Sequence, residues 1–115
     1  MANQSAVLDR AFSAYAHPIR REIVERLAAR EMTVGEATGD FGVSKPAISK
    51  HLRVLEEAGA IVRVVDGRTH RLRLSGEALG DAQAWLERQR ALWERKFAVV
   101  EQYLAEQSDA RGGPT

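Results

Sequence analysis

Apolar positions along this chain recur at helical spacing in four successive stretches, alternate once, and return to helical spacing over the last third. Residues 5–15 place Val7, Leu8, Phe12 and Tyr15 together behind a Ser5 cap, predicting a short first helix that ends near Ala16. Pro18 suits the first turn of a second helix, with Ile19, Ile23, Val24 and Leu27 on its apolar side and Arg20, Arg21, Glu25 and Arg26 in water. Thr33 and Glu36 have the spacing of a capping box and open a third helix, which the glycines at 39 and 42 keep short.

The fourth stretch, residues 44–59 (SKPAISKHLRVLEEAG), organises the rest. Ile48, Leu52 and Leu55 form a buried stripe, while Lys45, Ser49, Lys50 and Arg53 lie on the other side, so one face wants a core and the other a polyanion. Ser44 is a strong N-cap, Pro46 falls in the first turn, and Gly59 stands where helices end in a left-handed residue. A short helix, a tight turn and an amphipathic basic helix make the helix-turn-helix arrangement, whose second helix enters the major groove.

After Gly59 the period becomes extended. Residues 60–65 are rich in β-branched side chains, Asp66-Gly67 signals a hairpin, and residues 68–74 alternate. The pattern predicts a two-stranded wing with Arg68 at its turn, Leu72 and Leu74 facing the body, and Arg71 and Arg73 facing solvent. Residues 75–107 read as one long helix with Leu79, Leu86, Trp93 and Val100 seven residues apart, supplemented by Ala82, Trp85, Leu92, Phe97 and Leu104. So wide an apolar stripe, with little chain left to cover it, points to a second subunit; Phe12 and Tyr15 offer a matching patch. Residues 1–107 are thus expected to form one DNA-binding and dimerisation domain, and the Gly/Pro-rich residues 108–115 a disordered tail.

Charge sharpens this picture. The net charge is only +1, but residues 44–74 carry seven Lys/Arg against three acids, a local balance of +4, between slightly acidic ends. Composition mainly excludes. The chain of 115 residues has no cysteine, which removes disulfides and thiolate metal sites, and no apolar run approaches the roughly 20 residues of a membrane span. With no export signal at the start, the expected location is cytoplasmic.

The stretches AHPIRREIVERL, MTVGEATGDFGVSKPAISKHLRVLEEAGAI and VVDGRTHRLRL together resemble the ArsR-type winged-helix repressors, over roughly residues 12–104. The resemblance implies a mainly α fold with a small β-hairpin, α-α-α-α-β-β-α, forming a homodimer through the first and last helices. It implies a repressor of double-stranded DNA, often of its own operon. Ser44, Lys45, Pro46, Ser49, Lys50, His51 and Arg53 are the candidate groove-helix contacts, and Arg68 and Arg71 those of the wing. Lys45, Pro46 and Ser49 would lie nearest the base edges, and Arg53, Arg68 and Arg71 would neutralise phosphates. The dimer interface would comprise Phe12, Tyr15, Trp85, Leu86, Trp93, Phe97, Val100 and Leu104.

Metal-sensing members of that family use cysteines, or histidine and carboxylate pairs on the last helix. Residues 75–107 contain no histidine, and His17, His51 and His70 fall on different elements, so no metal or other cofactor is expected and the effector stays open. Ser44, Asp40 and His51 are close in sequence, but Ser44 is committed to capping and no oxyanion loop accompanies it, so catalysis is not expected. The rival readings are a winged helix that binds a partner protein and a ligand- or metal-responsive sensor.

Overall fold

Asn3, rather than Ser5, opens the first helix. Its Oδ1 accepts the Ser5 amide at 2.8 Å, so α1 spans Gln4–Tyr15, with its cap two residues before the expected one. The computed structural model describes residues 3–111. His17 caps α2 (Pro18–Ala29) by accepting the Ile19 amide on Nδ1 at 3.1 Å, with Pro18 in the first turn, where its missing N–H costs nothing. Ile23 and Leu27 are buried, and Ile19 and Val24 pack against the core, as their spacing predicts.

The capping box forms on both sides. Thr33 Oγ1 accepts the Glu36 amide at 3.2 Å, and the Thr33 amide donates to Glu36 Oε1 at 3.0 Å, opening α3 (Val34–Thr38). That amide bond, followed by bonds from Arg30 and the Thr33 hydroxyl, holds the Glu36 carboxyl down at about 2. After the turn through Gly42, α4 runs Lys45–Glu57, with Ser44 Oγ accepting the Ala47 amide at 3.2 Å. Gly59 follows with φ +76°, a conformation that side chains disfavour; a Cβ there would also meet Glu77 Oε2 at 2.9 Å.

The sheet has three strands where the sequence suggested two. Besides β2 (Ile61–Asp66) and β3 (Thr69–Leu74), a two-residue β1 (Met32–Thr33) pairs antiparallel with β3, giving the order β1-β3-β2. Two residues cannot display alternation, so β1 was invisible as a pattern. The register pairs Asp66 with Thr69, leaving Gly67-Arg68 as the loop; Gly67, at φ +61°, supplies the positive dihedral required at the first loop position. Leu72 is fully buried, but Leu74 lies at the strand's end and is 39% exposed, so only Leu72 fulfils the expected inward role.

The largest fully buried side chains, Ile23, Leu52, Leu55, Ile61 and Leu72, come from α2, α4, β2 and β3. Each is worth roughly 1.5–3 kcal/mol of transfer free energy, so the inner face of α4 is anchored by packing that has nothing to do with its outer face. The last helix, α5, spans Glu77–Arg111 and buries Ala78 and Ala82. It passes the expected end at Gln107 because 108–111 holds no helix breaker; of the anticipated tail, 112–115 lie outside the described residues. The chain divides between Gln83 and Ala84 into a first unit, which carries the winged helix-turn-helix, and a second unit, the rest of α5.

Candidate nucleic-acid interface

Helix α4 presents Lys45, Pro46, Ser49, Lys50 and Arg53 to solvent, while Leu52 and Leu55 are buried and Ile48 packs on the core. The two faces read from the sequence are therefore both present. Ser44, exposed and bonded to the Ala47 amide, fixes where the helix begins and so which side chains lead it.

Which cations remain available is decided by pairing. Arg26 forms a two-pronged ion pair with Asp40 at 2.7 and 3.1 Å, reaches Glu22 at 3.2 Å, and lies 4.4 Å over the Phe41 ring. The bond from Arg26 is the main cause holding the Asp40 carboxyl below its usual range. Arg20 and Arg21 donate to backbone carbonyls at the end of α1, and Arg30 pairs with Glu36. The outer face of α2, read from the sequence as simply wet, thus works as a set of pins between elements. By contrast, Lys45, Lys50, Arg53 and Arg68 make no ion pair or side-chain hydrogen bond among the described residues.

Two of the proposed contacts are held otherwise. Arg71 Nε lies 3.4 Å from Glu31 Oε1, with both side chains under half exposed, so it is tied to the segment before β1. The Arg71 position on the sheet follows from its pairing with Thr33, which only the β1 strand creates. His51 is half-buried, its Nδ1 3.0 Å from Arg20 NH1 and its ring centroid 4.3 Å from that of His17. It faces the brace rather than the open side of α4. The sequence placed His17 and His51 on separate elements; the fold brings them together.

The opposite flank of α4 is tied to the wing. Arg63 on β2 bonds Glu56 Oε1 through Nε at 2.8 Å and NH2 at 2.6 Å, and His70 Nδ1 through NH1 at 3.1 Å. Two adjoining clefts meet at this arginine. One, of about 460 Å³, lies between α3 and α4 and includes Lys45, Ile48, Ser49 and Arg63. The other, of about 530 Å³, lies between the start of α3 and the wing and includes Thr33, Arg63, Arg68 and His70. Sequence reasoning missed Arg63, since its partners lie seven residues away in either direction on different elements and no local pattern links them.

The second unit exposes an unusual amount of apolar side chain. Leu86, Trp93, Phe97, Val100, Tyr103 and Leu104 are all more than half exposed, and the Trp93 and Phe97 rings stand 5.8 Å apart. In the first unit, Phe12 is 39% exposed and Tyr15 is half-buried, with its hydroxyl pushed up by burial. Among the described residues no group of three or more His, Asp or Glu converges as a metal site would require, and no helix is long and apolar enough to cross a membrane.

Comparison with known proteins places this geometry. Residues 15–65 match a helix-turn-helix domain family. Over 101 residues the chain is 36% identical to the HTH-type transcriptional regulator Rv2034 of Mycobacterium tuberculosis, covering 88% of this chain and 92% of that protein. It is 33% identical over 79 residues to the transcriptional repressor SdpR of Bacillus subtilis, covering 69% and 88%. The crystal structure of the ArsR family transcriptional regulator RHA00566 is similar with a TM-score of 0.75 and 34% identity, covering 82% of this chain and 97% of that one.

Proposed function

The chain belongs to the ArsR-type winged helix-turn-helix transcriptional regulators, which bind DNA, and we propose that it acts in the cytoplasm as a homodimeric repressor at an inverted-repeat operator. The observation that carries this reading is the sorting of cations. Six arginines are consumed by internal partners, whereas Lys45, Lys50 and Arg53 on the outer face of α4 and Arg68 on the wing are left for an external anion. Lys45, Pro46 and Ser49 lead the helix into the major groove, where lysine and serine bond base edges and Pro46 packs on a thymine methyl. Lys50, Arg53 and Arg68 bind phosphates, Arg68 beside the cleft it shares with Arg63. His51 acts indirectly, through its contact with α2, and Arg71 contributes as a charge shared with Glu31.

Dimerisation is supported by the exposed stripe of α5. Trp93, Phe97, Val100 and Leu104 at more than half exposure are costly in water, and a second copy covers them. A two-fold dimer sets the two α4 helices about 34–36 Å apart, one turn of DNA, so the operator reads as an inverted repeat. Repression is steric, in keeping with the relative named a transcriptional repressor. The test is selection of bound fragments from a genomic library by the purified protein. Enrichment of one inverted-repeat motif is the expected result; recovery of fragments without a shared sequence would overturn it.

A further inference from the structure

Three side chains from α2, its N-cap and α4 meet beside the end of α1. Arg20, on α2, donates Nε to the Ser13 and Ala14 carbonyls at 3.1 and 3.3 Å and NH2 to the Ser13 carbonyl at 2.7 Å, closing the end of α1. Its remaining prong, NH1, lies 3.0 Å from His51 Nδ1 on α4. Against the His51 ring lies that of His17, centroids 4.3 Å apart and tilted 50°, and His17 Nδ1 accepts the Ile19 amide that starts α2.

Donor and acceptor roles here are forced. A guanidinium and a backbone amide can only donate, so both histidine Nδ1 atoms accept, and His51 carries its proton on Nε2. A second proton, on His51 Nδ1, would put two donors face to face across 3.0 Å and place a cation against the neighbouring His17 ring.

We infer that the Arg20–His51–His17 cluster is the positioning element that sets the recognition helix against its brace, and that it holds only while the His51 imidazole is neutral, making operator recognition sensitive to acid. The charged and titratable groups that act on His51 are His17 and Arg20 from the start of α2 and Lys50 from its own helix, while α1, packed on the same helix, places Asp9 and Arg10 beside Val54 and Glu57. Burial, then His17, Arg20 and Lys50 in that order, holds its pKa below the ordinary value of 6.5. The sign follows. The depressed group stabilises the assembled arrangement at pH above 6.5 and loses that contribution as pH falls through its lowered value. Protonation adds positive charge, which strengthens non-specific attraction to DNA, so the loss falls on discrimination between operator and other sequences.

His51→Asn is the informative variant, because Asn Oδ1 occupies the place of the histidine Nδ1 and accepts from Arg20 without titrating. Two measurements on the full chain test the inference. In the free protein, long-range imidazole NMR should show His51 as the Nε2–H tautomer at neutral pH, and the protection of the α4 amides, taken relative to their intrinsic exchange rates, should fall on acidification through the His51 titration in the wild type but not in His51→Asn. An Nδ1–H tautomer, or identical acid profiles for the two proteins, would overturn the clamp. The DNA arm rests on the repressor reading above and uses the operator selected there against a scrambled duplex. The ratio of affinities should fall on acidification from pH 7.5 through the His51 titration for the wild type and stay within about threefold for His51→Asn. Equal falls would overturn the positioning role, whereas failure to select any operator alongside the expected NMR and exchange results would leave the clamp standing and refute the repressor reading.

Discussion

Replacing Arg68 with alanine should lower DNA affinity on every sequence by an amount that salt controls. Arg68 is the second residue of the two-residue wing loop, exposed and without an ion pair or side-chain hydrogen bond among the described residues, so its loss leaves the fold's own contacts in place. In a dimer the substitution removes two phosphate contacts. At about 0.9 units of slope per contact, the plot of log affinity against log salt should flatten by about 1.8 units. Between 50 and 200 mM salt the wild type would then lose about twelvefold more affinity than the variant. Fluorescence anisotropy over that range, on the selected operator and on a scrambled duplex, measures both slopes. Loss confined to the operator with an unchanged slope would make Arg68 a reader of bases, and no change on either duplex would remove the wing tip from the interface.

Trp93→Glu should abolish the dimer, because it puts a charge in the middle of the exposed stripe of α5; sedimentation velocity reads this, and a variant that still sediments as a dimer would move the seam elsewhere. The pH dependence of folding has one clear contributor in Glu36, whose carboxyl falls from 4.5 to about 2 on folding. The folded state therefore binds fewer protons, so the stabilisation is present above pH 4.5 and lost as pH falls towards 2. Glu36→Gln keeps an acceptor in the capping box but does not titrate, and thermal melts of this variant should change less with pH across that window.

How much of this was legible in the sequence depends on the distance over which each feature is encoded. The bounds of α4 could be read because Ser44, Pro46 and Gly59 act on backbone groups within a few residues of themselves, and its two faces because 3.6-residue periodicity sorts Leu52 and Leu55 from Lys50 and Arg53. Long-range pairings could not. Arg20 and His51 are 31 residues apart, and Arg26 and Asp40 are 14 apart; on a helical wheel each counts only as a polar residue facing water. The same blindness hid β1, whose strand character comes from its partners Leu72 and Arg71, and turned Arg71 from an expected free cation into one shared with Glu31. The wing turn could be read, since the pairing of Asp66 with Thr69 puts Arg68 in the loop as expected. What marks Arg20, Arg26 and Arg71 as structural charges is an internal partner, and that is a property of the fold.

The claim that α4 reads DNA twice can be tested at the helix itself. The chain contains no cysteine, so Ser49→Cys offers a single attachment point for an iron chelate that cleaves nearby DNA, on the exposed side of the helix. On the selected operator the account predicts two cleavage clusters, symmetric about the centre of the inverted repeat and about one helical turn apart. A single cluster, or cleavage spread evenly along the duplex, would contradict it.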